Sequence, residues 1–584
     1  MSYHNKIKDV DLEAFNHGVA EYHQGWEAAD QYAYNVLTGV IKAGQHAKNS
    51  CARYIYDRTK RDDLDFRIDD VDDVIDFANM LKHVKGKMVG KPMLLMQWMI
   101  FVLANIYGWY YTKGERIGER RFVKAFTLVA RGNAKSTLCS IVSLWTLLTS
   151  PNGSPSAYSV ARNAKQARIV FEDAKKMIRG ASFQLKKYFR TSAHKIEQLL
   201  YDGLFEPMAS DSQSLDGLRV ALGICDELHA HRDSELMNTL INGTSATVDP
   251  LIFSISTAGI QLDGICVQER NLIRFINEDI EDGDSYFGIE YSIDEQDQWD
   301  DPEVWIKANP SLGHAVRLTS LKEELGRAKQ SAVNRKDFMT KYCNIFVNMN
   351  DNPYIDIFTL QSTCAKELII DKYVGKECFG GLDLAQKFDL AALSVIFPED
   401  NGGLTAFQRH YFPEGALEKL TSHKYEMYLQ WEEDGHLILT PGNSTNFDFI
   451  MDDIRWYAKN FDLQMVGYDP YAGAQLALTL QEEKIDMVEV QQSFAKMSEP
   501  AKLLQSLVAD QKFNYQHTDR CFEWCAANAV ITTDMNENIK VHKDKTKPHD
   551  KVDSVIALIT GMALATLKEP KKKTPYKKRG LITF

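Results

Sequence analysis

Apolar and polar positions change rhythm twice along the chain. Residues 1–90 follow a helical rhythm, with amphipathic stretches at Tyr32–Arg58 and Val71–Val84, and carry no chemical motif. From Arg121 short apolar runs alternate with helical stretches: Val123–Val129, Ser156–Val160, Val220–Cys225 and Leu251–Ser256. That alternation predicts a parallel α/β sheet. It passes into a mostly helical segment ending near Asn350, and the polar stretch Asn348–Pro353 marks a boundary. A second strand-rich start follows at Cys378–Leu384, paired with Leu390–Phe397 as a hairpin. Further strands are expected at Leu404–Tyr411 and Met465–Tyr468, and an apolar helix at Val552–Leu567. The expected organisation is a helical segment 1–90 attached to an α/β domain 91–350, a linker 351–374, a second α/β domain 375–568 and a tail 569–584.

At 584 residues the chain is too long for one core, and its 44% hydrophobic and 25% charged residues are ordinary for a globular protein. The N-terminus lacks a signal-peptide pattern, and the most apolar stretch, Met93–Tyr107, is too short to span a bilayer and carries Gln97 and Asn105. A cytosolic protein without a membrane role is expected. Nine cysteines without metal spacing predict reduced thiols; Cys521 and Cys525 lie in a helical pattern with no partner pair, so no zinc site is expected there. The net charge of −12 argues against a surface coated in basic residues, while leaving room for nucleic acid in a local basic groove. The one clear cationic run is the tail Lys568–Arg579, interrupted by Pro570 and Pro575, which reads equally as a solubilising terminus or as a contact for phosphates or an acidic partner.

Candidate chemistry begins at Asp216–Glu227, where an apolar run, Val220–Cys225, ends in adjacent carboxylates. A buried parallel strand there would deliver Asp226 and Glu227 to the carboxyl edge of the sheet, where such sheets hold ligands. Nucleotide hydrolysis needs that pair, with Asp226 holding Mg²⁺ and Glu227 orienting and deprotonating the attacking water. Upstream, Phe126–Thr137 reads as a strand that breaks at Arg131-Gly132 and restarts as a helix at Lys135. Its loop, Arg131, Gly132, Asn133 and Ala134 followed by Lys135, Ser136 and Thr137, is a candidate cradle for the phosphates of ATP. Lys135 would reach the β and γ phosphates, and Ser136 would ligate Mg²⁺. The strict GxxxxGK[ST] pattern is not met, since Val129 and Ala134 occupy both glycine positions. Downstream, the strand Leu251–Ser256 ends in small hydroxylated residues, Ser256 and Thr257, suited to sensing the γ-phosphate. Arg131, Arg162 and Arg168 are candidates for stabilising charge on the transferring phosphoryl, and the sequence does not choose among them.

A second group of acids follows. Asp383 is expected in the middle of an apolar strand, where an uncompensated carboxylate is costly unless a cation attends it. Asp469 ends the strand Met465–Tyr468, and Asp550 and Asp553 sit three apart where the last helix begins. Acids converging from separate elements are what two Mg²⁺ or Mn²⁺ ions need, with positions left open for a phosphate and a water.

The motifs together resemble the large terminase subunit of tailed bacteriophages. The resemblance covers nearly the whole chain: Tyr32–Ile41 and Cys51–Tyr54 near the N-terminus, Arg-Gly-Asn-Ala-Lys-Ser at 131–136, Asp216–Leu218, the Ser-Thr-Ala-Gly stretch 256–259, and Lys551–Ala557. It implies a P-loop, RecA/ASCE-like parallel-sheet ATPase domain followed by an RNase H-like α/β nuclease domain. It also implies that Gln97 recognises adenine, that Asp383, Asp469 and Asp553 are the nuclease ligands with Asp553 favoured over Asp550, and that a metal-activated water attacks the phosphodiester. The family often has glycine where Ala134 stands. The implied function is an ATP-driven motor that translocates double-stranded DNA into the procapsid and an endonuclease that cuts the concatemer. Implied partners are a small terminase subunit, the portal of the procapsid and further copies of the chain in a ring, commonly a pentamer, working in the host cytoplasm and transiently at the portal vertex. A helicase-nuclease of repair or defence, and an adaptor with lapsed sites, are the alternatives. The first would want a second RecA-like domain where the chain reads as helical, and the second would not need Lys135, Asp226, Glu227, Asp383, Asp469 and Asp553 all together.

Overall fold

The computed structural model describes residues 2–161, 163–209, 219–231, 234–259, 264–347, 353–363, 368–384, 389–420, 422–516, 519–543 and 550–567. Arg162, the Asp216–Leu218 motif, the boundary residues 348–352, the turn residues 385–388 and the cationic tail from Lys568 lie outside them. The chain divides into two units, Met1–Val347 and Asn348–Phe584.

The main sheet of the first unit has eight strands: β1 (Lys124–Leu128), β2 (Ser156–Ala161), β3 (Phe189–Thr191), β4 (Ile196–Gln198), β5 (Gly203–Ala209), β6 (Leu222–Asp226), β7 (Leu251–Ser256) and β8 (Tyr286–Glu290). Their order is β8-β1-β7-β6-β2-β5-β4-β3, parallel from β8 to β5 and closed at one edge by the antiparallel β3/β4 hairpin. The expected sheet is thus present but twice as wide. The strand expected at Val220–Cys225 lies two residues later at Leu222 and takes Asp226 as its last residue. The stretch Tyr32–Arg58 is not one helix. Helices Glu27–Leu37 and Gln45–Lys60 are parted by a turn in which Gly39 has φ 82°. Helix Gln97–Gly108 is buried on all sides, which accounts for its continuous apolar sequence. Glu290 at the end of β8 is 1% exposed and is held between Arg274, which donates to both carboxylate oxygens at 2.6 and 2.7 Å, and Arg270 at 3.2 Å.

The second unit carries β9 (Glu377–Asp383), β10 (Ala391–Pro398), β11 (Leu404–Pro413), β12 (Leu437–Thr440), β13 (Asp462–Tyr468), β14 (Met487–Glu489) and β15 (Phe513–Tyr515). The order is β12-β11-β10-β9-β13-β14, with β15 on β11. Strands β9, β10 and β11 are antiparallel in succession, and β13 and β14 continue in parallel on the other side of β9. Asp383 is the last residue of β9, not a mid-strand residue: ladder pairing stops there although the apolar run continues into Leu384. Helix Asp553–Leu567 packs on β9 and β10, and its backbone at Ala557–Gly561 lies against that of Gly380-Gly381 in β9. A Cβ on Gly381 would run into the Ala557 carbonyl and the Gly561 amide, so glycine at 381 is what lets helix and strand approach. Among the described residues, no helix is long and apolar enough to cross a membrane.

Candidate active sites

The chain leaves β1 at Leu128, turns through Val129–Ala134 and enters helix Lys135–Thr149. Gly132 (φ 92°) and Ala134 (φ 58°) both take the left-handed backbone conformation. Ala134 therefore keeps the shape of the glycine motif at a cost of about 1–2 kcal/mol. The helix start has no side-chain cap, so its first amides face the loop and leave an anion-binding end. Buried Asn133 braces the loop: Nδ2 donates to the Ala130 carbonyl at 3.0 Å and to Asn309 Oδ1 at 3.1 Å, and Oδ1 accepts from the Ser311 amide at 3.0 Å. The Arg131 amide donates to the Lys341 carbonyl at 2.8 Å. Lys135 is buried with Nζ 3.3 Å from the Val129 carbonyl; burial pulls its pKa down, opposed by the charges of Glu227 and Asp226. Ser136 and Thr137 fill the first helical turn, half-buried.

Strand β7 lies between β1 and β6, so the sensor candidates stand between the phosphate loop and the carboxylates. Burial, with Glu227 adding, pushes the Asp226 carboxyl up to about 6. Glu227 leaves the strand with φ 52°, a strained value for a non-glycine residue and of the kind that collects at functional sites. Burial disfavours its charge, yet the His229 hydrogen bond, the Lys135 charge and Thr257 outweigh it and hold its pKa at about 2. His229 Nδ1 is 3.2 Å from Glu227 Oε2 and 3.1 Å from Ser256 Oγ, and Thr257 Oγ1 donates to Glu227 Oε2 at 3.3 Å. The Ala258 amide next to Thr257 donates to Asn344 Oδ1 at 2.7 Å. Lys135, Asp226, Glu227, Ser256 and Thr257 thus meet at one edge. His229, Asn309, Ser311 and Asn344 belong to the same network, and nothing in the sequence marks them.

Gln97 opens its buried helix, with Nε2 3.3 Å from the Ala20 carbonyl. It lines a cavity of about 670 Å³ with Tyr32, Trp98, Tyr291 and Pro310. Its neighbour Trp98 donates to Ser311 Oγ at 3.1 Å, which links this cavity to the brace under the phosphate loop. Arg131 is exposed on the loop, whereas Arg168 points away to Glu172 at 3.3 Å and the Ala193 carbonyl at 2.5 Å.

In the second unit Asp383, Asp469 and Asp553 come from the end of β9, the residue after β13 and the start of the last helix. Burial pushes the Asp383 carboxyl well above the ordinary carboxylate value; Asp553, Asp469 and Asp389 raise it further, and Gln492, whose Nε2 donates to Asp383 Oδ1 at 3.1 Å, opposes them. Asp553 is pushed up to about 7 by burial and then by Asp389, against the charge of Lys551. Asp469 also caps its helix, accepting from the Tyr471 amide at 3.0 Å. Asp550 lies 3.7 Å from Lys424. Asp389, in contact with Lys551, and Gln492 are members that the sequence did not reveal. Among the described residues no three metal-binding side chains close around a point by themselves, so the acids form an open array. Its chemistry suits a divalent ion: the donors are oxygens, and carboxyls that resist ionising together are relieved by a cation.

Two family models match the chain. The one described as terminase large subunit, ATPase domain, covers residues 97–274, and the one described as terminase large subunit, endonuclease domain, covers residues 280–569. The chain belongs to the terminase large subunit family. This terminase subunit is accordingly an ATPase and a DNA endonuclease, with the α/β domains expected of both. It is 25% identical over 497 residues to the terminase large subunit of Enterobacteria phage HK97, covering 82% of this chain and 92% of that one. It is 28% identical over 363 residues to protein YmfN of Escherichia coli (strain K12), covering 61% of this chain and 79% of that one. The crystal structure of the HK97 bacteriophage large terminase aligns with a TM-score of 0.41 and 22% identity, over 85% of this chain and 99% of that one.

Proposed function

We propose that ATP binds with its phosphates on Arg131–Thr137 and its adenine beside Gln97, and that Glu227 takes the proton from the attacking water while Thr257 and His229 hold its carboxylate. Lys135 neutralises the β and γ phosphates from its buried position. Ser136 and Asp226 would hold Mg²⁺, and Asp383, Asp469 and Asp553, joined by Asp389, would hold two Mg²⁺ or Mn²⁺. Bound there, divalent ions supply charge that draws in phosphate oxygens and lowers the pKa of a water. Asp553 is preferred to Asp550 because it faces Asp383 electrostatically, while Asp550 faces Lys424. The substrate is double-stranded DNA, moved into a procapsid through its portal by a ring of such subunits, with a small terminase subunit choosing the cut, inside the host cell.

The single observation that carries this reading is the meeting of Lys135, Asp226, Glu227 and Thr257 at one sheet edge, in a chain whose second unit gathers its own acids around Asp383. DNA-stimulated ATP hydrolysis and plasmid cleavage, each measured in wild type, Glu227→Gln and Asp383→Asn, test it. Glu227→Gln is expected to abolish hydrolysis and leave cleavage, and Asp383→Asn to do the reverse. Loss of cleavage in Glu227→Gln with retention in Asp383→Asn would refute the division.

A further inference from the structure

In a chain of net charge −12, residues 164–201 carry nine lysines and arginines against three acids, Glu172, Asp173 and Glu197, a surplus of six. Most of this stretch is helix Ala164–Gly180, which follows β2. Its inner face, including Val170, Phe171, Ala174 and Met177, is buried. Its outer face presents Lys165, Arg168, Glu172, Lys176 and Arg179 within one arc, by the 3.6-residue period. Lys165, Lys176 and Arg179 are exposed and, among the described residues, have no acidic partner within ion-pair distance. A groove of about 340 Å³ on this face is lined by Lys85, Lys165, Arg168 and Lys176 together with Glu172 and Asp173. Asp173 is matched by Lys85 at 2.5 Å and Glu172 by Arg168 at 3.3 Å, so Lys165 and Lys176 are in surplus.

The inner face is fastened to the nucleotide site. Ser140 Oγ, on the phosphate-loop helix, lies 3.0 Å from the Val170 carbonyl, and Ser159 Oγ on β2 donates to the Ala167 carbonyl at 2.9 Å. Strand β2 is also the hydrogen-bonded neighbour of β6, which carries Asp226. One helix therefore has the ATP-binding elements on one side and uncompensated cations on the other.

We infer that the outer face of helix Ala164–Gly180 grips the sugar-phosphate backbone of double-stranded DNA, with Lys165, Lys176 and Arg179 as phosphate contacts. The inference rests on the motor reading above and names the surface through which that motor holds its substrate. From Lys165 to Lys176 the helix rises about 16 Å at about 1.5 Å per residue. Measured along the duplex axis, that spans about five base pairs at about 3.4 Å of rise each. The contact is to backbone charge, so it is independent of base sequence and strongly salt-dependent.

The test uses the full chain and a fluorescent random-sequence duplex, with binding measured by anisotropy across a salt series and ATP hydrolysis measured with and without the duplex. The variant Lys165→Gln/Lys176→Gln/Arg179→Gln is compared with Lys8→Gln/Lys60→Gln/Lys329→Gln, which removes the same charge elsewhere on the unit, and thermal unfolding checks that both are folded. The helix variant is expected to bind at least about tenfold more weakly, with a slope of log affinity against log salt shallower by about 2–3, near 0.9 per lost contact. It is also expected to lose DNA stimulation of hydrolysis, while the control keeps all three. Wild-type affinity and slope in the helix variant, or an equal loss in the control, overturns the inference. Unchanged DNA binding with lost self-association would assign the face to a protein partner and overturn it as well. A wild type that neither binds duplex nor responds to it would refute the motor reading itself.

Discussion

Thr257 Oγ1 donates to Glu227 Oε2 at 3.3 Å, across the gap between β7 and the end of β6. The residue proposed to sense the nucleotide thus holds the carboxylate proposed to activate water. Because the two belong to adjacent strands, a small shift of either strand end changes the aim of the carboxylate. Thr257→Val keeps the side-chain volume and removes the donor. Turnover is expected to fall about 10- to 100-fold, the worth of a hydrogen bond to a charged group, with KM for ATP within about twofold of wild type. Steady-state kinetics decide it, and an unchanged kcat would show that the contact is idle.

Ala134 carries the left-handed backbone of a glycine position. Ala134→Gly is expected to stabilise the first unit by about 1 kcal/mol, and Ala134→Val to destabilise it by more than that. Denaturant unfolding followed in the first unit measures both, and the glycine variant should also bind nucleotide at least as tightly.

Glu290 gives a pH signature. Burial disfavours its charge, but Arg270 and Arg274 hold its pKa down at about 2, against an ordinary glutamate value of 4.5. The unfolded chain therefore binds more protons between those values. The stabilisation is complete above pH 4.5 and is lost as pH falls through 4.5 toward 2. Glu290→Gln leaves two half-buried guanidinium groups without their acid and is expected to cost about 1.5–3 kcal/mol, the worth of hydrogen bonds to a charged group. Unfolding free energy measured from neutral pH downward should fall more steeply in wild type than in the variant.

Gly381 sets the approach of the last helix to β9. Gly381→Ala forces the helix off the strand and separates Asp553 from Asp383. DNA cleavage is expected to be lost and the second unit's unfolding temperature to drop by several degrees, while ATP hydrolysis in the first unit continues. Cleavage at wild-type rate in this variant would mean that Asp553 is not needed where the helix places it.

Much of this was legible before the structure. Lys135, Asp226 and Glu227 follow apolar runs whose β character is plain, Lys135 one short loop after β1 and the two carboxylates together at the end of β6, so local sequence was enough to place them. The strands beyond β2 were not legible: β5 carries Glu206 and Pro207, and β3 and β4 have three residues each, too few for a period to show. Asp383 was expected inside its strand because the apolar run passes through it into Leu384, but ladder pairing, not hydropathy, ends a strand. Asn309, Asn344, His229, Asp389 and Gln492 were illegible for another reason. Each is a single polar residue that meets its partners only in the fold: His229 reaches Ser256, 27 residues on, Asp389 meets Lys551, and Asn309 lies 176 residues from Asn133.

The closeness of the last helix to β9 also has a consequence in time. The residues proposed for nucleotide hydrolysis, with the Asn309 and Asn344 braces, have all been synthesised by position 344. The nuclease array still lacks Asp553, more than two hundred residues later. A nascent chain on the ribosome can assemble its motor long before it can assemble a blade, and a product truncated anywhere between those positions would be unarmed. With Asp553 in the proposed nuclease array, DNA cutting would have to wait until helix Asp553–Leu567 has been translated and folded onto β9.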